Sequence, residues 1–134
     1  MISNKNQFKN ALKTNKDNIK IKRIYNFDKS NIIPEGSVAD IVKVQSNGIV
    51  INYKDINKQP WIYFDKVEIK DNEIIYYQYI TQDEERLAFK NAKNLGIDLI
   101  KLDNKEYEKM NKGNNYTYTY KFIFMINKIM EVDN

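Results

Sequence analysis

The stretch KVQSNGIVINYKDINKQPWIYFDKVEIK, residues 43–70, decides the fold class. Runs rich in β-branched residues flank Ser46-Asn47-Gly48 on both sides, the composition of paired strands. Asn-Gly between two such runs is the strongest short hairpin sequence, because both residues tolerate positive φ in a type I′ turn. The run GIVINY therefore returns along SVADIVKVQ, in which Val38, Ile41, Val42 and Val44 supply the apolar side chains. A polar loop, KDINKQ, then leads through Pro60 to Trp61, the only tryptophan of the chain. WIYFDKVEI reads as the fourth strand, Asp71-Asn72 as a second tight turn, and EIIYYQYI as the fifth strand.

Upstream, Phe8, Ala11 and Leu12 fall at i, i+3 and i+4, which predicts a helix over Asn6 to Thr14. In NIKIKRIYNF, Ile19, Ile21 and Arg23 point one way and Lys20, Lys22 and Ile24 the other, a half-buried strand from Asn18 to Tyr25. FDKSNIIPEGS is a loop punctuated by Pro34 and Gly36. Downstream, Thr81-x-x-Glu84 has the form of a capping box, and Gly96 supplies a helix stop. That places a helix over about Asp83 to Leu95, with Leu87, Ala88, Ala92 and Leu95 inward. GIDLIKL reads as a strand, DNKEYEKMNKG as a short helix, and Tyr116 to Met130 as a long final strand. The expected architecture is α+β. An N-terminal helix and a small five-stranded antiparallel barrel, SH3-like or OB-like, occupy residues 1–80. A β-α-β-α-β extension occupies residues 81–134 and packs on the barrel as one compact unit.

With 134 residues and 42% hydrophobic side chains, the chain is long enough to bury a core and to remove roughly two-thirds of its surface from water. It contains no cysteine and no histidine. No disulfide framework is available, and the serine triads, cysteine nucleophiles and common zinc sites lack their residues. No Gly-rich phosphate cradle is present. The N-terminus lacks the apolar core of a signal peptide, and no run reaches the roughly 20 apolar residues of a membrane span, so a cytoplasmic protein is expected. Residues 1–24 hold seven basic side chains against one acidic, whereas residues 81–134 hold nine of each. A basic end attracts phosphate or an acidic protein surface.

Three functional readings are open. Trp61 enters its strand where a loop meets the rim of the barrel. A tryptophan there is either an interaction hot spot or a core plug. Together with Ile32, Tyr53, Lys54 and Lys58 it forms a candidate surface for a protein or ribonucleoprotein partner. Alternatively, Lys16, Lys20, Lys22 and Arg23 on the first strand, with Tyr116 and Tyr118, bind DNA or RNA directly by charge and stacking. In NYTYTYKFIF the aromatic residues share one strand face, with Phe122 and Phe124 expected in the core. Third, Glu68-Ile69-Lys70 with Asp55 or Asp40 has the composition of a Mg²⁺-dependent nuclease site. The alternative there is an exposed ion pair. The chain is expected to act without catalysis, cofactor or metal.

Val44-Gln45-Ser46-Asn47-Gly48, preceded by Val42 and followed by a strand headed by Trp61, resembles small proteins of Gram-positive phages and mobile elements. The resemblance spans residues 18–80; Pro60 stands where that family would carry serine. It implies an SH3-like fold in a bacterial host cell. It also implies action by binding, including anti-CRISPR-type inhibition of a nuclease or another nucleic-acid-handling complex.

Overall fold

The computed structural model describes residues 1–30 and 32–132. They form an α+β structure of three helices and one antiparallel sheet of eight strands. Helix α1 (Lys5–Asn15) precedes strands β1 (Ile19–Asn26), β2 (Val38–Gln45), β3 (Gly48–Asn52), β4 (Trp61–Tyr63), β5 (Val67–Lys70) and β6 (Glu73–Thr81). Helix α2 (Glu85–Leu95), strand β7 (Ile100–Lys101), helix α3 (Asn104–Asn111) and strand β8 (Tyr118–Glu131) follow. The strand order is β4-β3-β2-β1-β8-β6-β5, with β7 on β8. The sheet is open, ending at β4 on one side and β5 on the other.

This order corrects the five-stranded barrel expected from the sequence. The run Trp61–Lys70 is two strands, because a 3₁₀ turn at Phe64–Lys66 divides it. Its first half pairs with β3 and its second with β6. The last strand is no appendage, since β8 lies between β1 and β6 and pairs with β1 from Ile19–Glu131 to Asn26–Met125.

The chain divides into two compact units, Met1–Tyr76 with the chain from Phe124 onward, and Tyr77–Ile123. In the first, the inner face of the sheet carries Ile19, Ile21, Ala39, Ile41, Ile49, Ile51, Ile62, Ile69, Ile74 and Ile129, all buried. Phe8 and Leu12 of α1 close over it, and Phe8 meets Phe64 edge-on at 6.3 Å. Helix α1 starts where the Asn4 side chain accepts from Gln7 N–H at 2.9 Å. Gln7 reaches back one residue beyond the cap and accepts from Ser3 N–H at 2.7 Å, which fixes the chain entering the helix.

The two tight turns differ. Asp71 and Asn72 both have positive φ, 52° and 62°, as a type I′ hairpin requires. Asn72 also ties three segments together. Its side-chain oxygen accepts from Ile2 N–H at 2.6 Å, its N–H donates to Ile2 C=O at 2.8 Å, and its carbonyl accepts from Ile129 N–H at 2.7 Å. At the other turn Gln45 pairs with Gly48, so Ser46 and Asn47 form the loop. None of Ser46, Asn47 and Gly48 has positive φ, which corrects the type I′ expectation there. Gly48 is needed for a different reason. A Cβ at this position would overlap the Ile62 carbonyl oxygen and lie 3.1 Å from Tyr63 Cα, so its absence lets β4 approach β3.

In the second unit, Ile80, Ala92 and Leu102 are buried, and Phe89 meets Tyr120 edge-on at 4.9 Å. Leu87 and Leu95 are exposed, against the inward placement expected of them. The Thr81 hydroxyl bonds the Glu84 carboxylate and no side chain caps a backbone N–H there, so the capping box is not formed. Gly96 ends α2 as expected, at φ 68°, with Ile97 N–H donating to Ala92 C=O at 3.0 Å. Asp103 caps α3 by accepting from Glu106 N–H at 2.8 Å. Lys121 is buried on β8, ion-paired with Glu106 and 4.5 Å from the Tyr77 ring centre. Phe122 and Phe124, expected in the core, are only half-buried. No helix among the described residues is long and apolar enough to cross a membrane.

Candidate binding face

Cross-strand partners share a face of a sheet, so the register assigns the outer surface of the first unit. Trp61 opposes Val50, which opposes Lys43. Tyr63 opposes Gly48, which opposes Gln45. Next along lie Asn52, Asp40, Lys20 and Met130, paired in that order. Trp61 and Tyr63, two residues apart on an edge strand, stack with ring centres 5.6 Å apart and planes 11° from parallel. They remain 39% and 42% exposed, respectively, too open for plugs of the core and too large for a casual surface pair. Gly48 beside Tyr63 adds no side chain to this surface.

Val38 and Val42 of β2 are also exposed, and a register shift at Val42 marks a bulge that re-aims this strand; Val44 beyond it is exposed too but opposes Ile49, on the other face. The charges around them are lysines gathered on one carboxylate. Asp40 pairs with Lys20 and, at 2.8 Å, with Lys54. The Lys20 and Lys54 ammonium groups hold Asp40 below its ordinary value, and Asp40 raises Lys54 in turn. Ion pairs this open to water are weak and leave the Lys54 stem free to rearrange on contact. Lys58 is exposed in the loop beyond, where Asn57 turns the chain with φ 51°.

The residues singled out by sequence divide. Trp61, Lys54 and Lys58 lie exposed, and Ile32 is 66% exposed in the loop after β1, whose next residue Ile33 is buried. Tyr53 is not on the surface. It continues the inward series Ile49, Ile51, Tyr53 and is 1% exposed, so it belongs to the interior. Arg23 likewise continues Ile19 and Ile21 and is 4% exposed, which removes it from any phosphate-contacting row. Lys20 is engaged by Asp40, Lys22 opposes Lys128, and Lys16 lies 3.9 Å from Asp17. Tyr116 is 62% exposed, whereas Tyr118 is half-buried against Tyr79, with its N–H bonded to Asn111. Both belong to the second unit.

The carboxylates considered for metal chemistry are separated. Glu68 sits on edge strand β5 and Asp40 on β2, four strand spacings apart. That is about 19 Å measured along the sheet. No group of three acidic side chains able to hold a metal occurs among the described residues. The residue that sequence reading missed is Tyr63. Its position two residues after Trp61 was sufficient to place both rings on one face. Comparison of the chain with protein-family models, curated proteins and solved structures finds no match.

Proposed function

We propose that this protein acts by binding, and that it docks through the outer face around Trp61 and Tyr63 onto a protein partner. The observation that carries this reading is the exposed, mutually stacked Trp61–Tyr63 pair on an edge strand, beside exposed valines and a rim of lysines. Large aromatic rings pre-ordered by each other lose little entropy on contact, and an apolar centre with a charged rim is the composition of an interface core. A lysine rim suits an acidic protein surface, whereas a surface that itself holds nucleic acid is basic and would repel it. The resemblance to phage and mobile-element proteins extends the proposal. The partner would be a bacterial nucleic-acid-handling complex, inhibited when this face docks on an acidic part of it, in the manner of anti-CRISPR proteins.

A second reading uses the same residues, because Trp61 and Tyr63 with Lys43 on the same face also suit a single strand of nucleic acid. Trp61 is the sole tryptophan, so its fluorescence reports on this face alone. Titration with single-stranded DNA, single-stranded RNA and duplex DNA, at two salt concentrations, separates the readings. The protein-partner reading expects no saturable quenching by any of them, together with capture of a protein from bacterial extract that Trp61→Ala abolishes. Saturable quenching that weakens steeply with salt favours the nucleic-acid reading instead. Capture unaffected by Trp61→Ala defeats the assignment of the face.

A further inference from the structure

The interior of the first unit holds a polar cluster that binding at the outer face does not use. Arg23 on β1 stands directly opposite Asn127 on β8, and both are buried, at 4% and 0% exposure. The Arg23 guanidinium carbon lies 5.7 Å from the ring centre of Tyr53. Tyr76 packs against the same core, with its hydroxyl within electrostatic reach of Arg23 and Tyr53 and beside Asn127. Asn26, also buried, follows the bulge three residues beyond Arg23. Arg23 Nε and Nη1, the Tyr53 hydroxyl, the Asn26 side-chain oxygen and both polar atoms of the Asn127 amide have no hydrogen-bond partner. The approaches of Arg23 to Tyr53 and of Asn127 to Tyr76 polarise these phenols without hydrogen-bond geometry.

No carboxylate among the described residues pairs with Arg23. Glu35, whose carboxylate lies beside Asn26, is otherwise engaged: it accepts from Asn26 N–H at 3.0 Å and pairs with Lys29. A guanidinium removed from water with no counter-charge is strongly destabilising, and proteins pair or neutralise such groups. Arginine cannot escape by losing its proton. The Tyr53 ring faces Arg23 but carries no charge, so an anion would supply what is missing. The groups around it are also the right kind, since an amide N–H₂ and two phenol hydroxyls each donate to an oxyanion, while the planar fork of Arg23 matches two of its oxygens.

We propose that Arg23, Asn127, Tyr53 and Tyr76 form an internal receptor for an oxyanion, a carboxylate or phosphate group, that supplies the charge this interior lacks. Arg23 N–H donates to Ser37 C=O and Arg23 C=O accepts from Gly36 N–H, so the backbone at this position is tied to the residues just before β2.

The test is the melting temperature of the full chain at fixed ionic strength, titrated with inorganic phosphate, acetate or chloride. The expected result is a saturable rise with phosphate or acetate, on the order of 5–10 °C at a hundredfold excess over Kd, and less with chloride. Whichever oxyanion gives the larger shift identifies the source of the group. Arg23→Met should abolish the saturable rise. Asn127→Asp places a carboxylate directly opposite Arg23, so it should raise the melting temperature in anion-free buffer and remove the response to added anion. The proposal is overturned by equal responses in wild type and Asn127→Asp, or by no saturable response in wild type. The Asn127→Asp arm decides the question even if Arg23→Met does not fold.

Discussion

Replacing Gly48 tests how β3 and β4 are held together, and hence what positions the aromatic pair. A Cβ there meets backbone only: the Ile62 carbonyl oxygen, the Ile62 carbonyl carbon at 3.2 Å and Tyr63 Cα at 3.1 Å. No rotamer change relieves such an overlap, so β4 must move and the Gly48–Tyr63 pairing must loosen. Overpacking of this kind costs about 1–3 kcal/mol. Loss of glycine's freedom in the unfolded chain returns about 0.4–1 kcal/mol. The net expectation for Gly48→Ala is a loss of about 1–2 kcal/mol, which lowers the melting temperature by roughly 3–8 °C. Gly48→Asn discriminates between causes. A left-handed glycine position accepts asparagine better than alanine. A steric position ranks asparagine as no better than alanine, because its Cβ is the same obstacle. Gly96, at φ 68° with nothing within 4 Å of where a Cβ would lie, is the internal control, and there asparagine should be the milder change. Thermal and urea unfolding of the four variants gives the ranking. Gly48→Asn milder than Gly48→Ala refutes the close-approach account of this turn.

Asn72→Gly keeps the positive φ but removes the acceptor for Ile2 N–H, so it should cost about 1 kcal/mol; Asn72→Ala adds the backbone strain of φ 62° and should cost more in urea unfolding. Burial raises the pKa of both Tyr53 and Tyr76 above the ordinary 10.0, opposed in each case by the positive charge of Arg23. A raised folded-state pKa contributes stability that is complete below pH 10 and is lost as pH climbs through the folded value. Phenolate absorbance should therefore keep a component that appears only as the fold opens and that is lost in the Tyr53→Phe and Tyr76→Phe variants; early, reversible ionisation of that component contradicts their placement.

The sequence was most legible where one face of a strand is buried and the other wet. Helix α1, strands β1 to β3 and the Asp71-Asn72 turn follow from periods of 3.6 and 2 and from turn chemistry. The division of Trp61–Lys70 was not legible, because WIYFDKVEI contains no glycine or proline. The break at Phe64 arises from pairing partners distant in sequence. Nor could local pattern place β8 between β1 and β6, a contact made across roughly a hundred residues. Within the candidate face, Trp61 stands out by rarity, whereas Tyr53 was misassigned, although the series Ile49, Ile51, Tyr53 already put it inside. Arg23 carried the same hint, as the one charge on the apolar side of its strand. Alternation tells which way a side chain points, and a charged residue pointing inward conflicts with the prior that arginine is exposed.

The account stands on the claim that Trp61 and Tyr63 serve contact rather than folding. The direct measurement is Trp61→Ala, read twice on one preparation, for melting temperature and for affinity toward the protein captured from bacterial extract by the wild type. A ring 39% exposed should cost about 1–2 kcal/mol of stability on removal, below the 3–5 kcal/mol of a fully buried tryptophan. At the centre of an interface it should cost about 2 kcal/mol or more of binding, roughly thirtyfold in Kd. A folded variant with affinity weakened at least that far is the predicted result; unchanged affinity, or a fold that collapses, contradicts it.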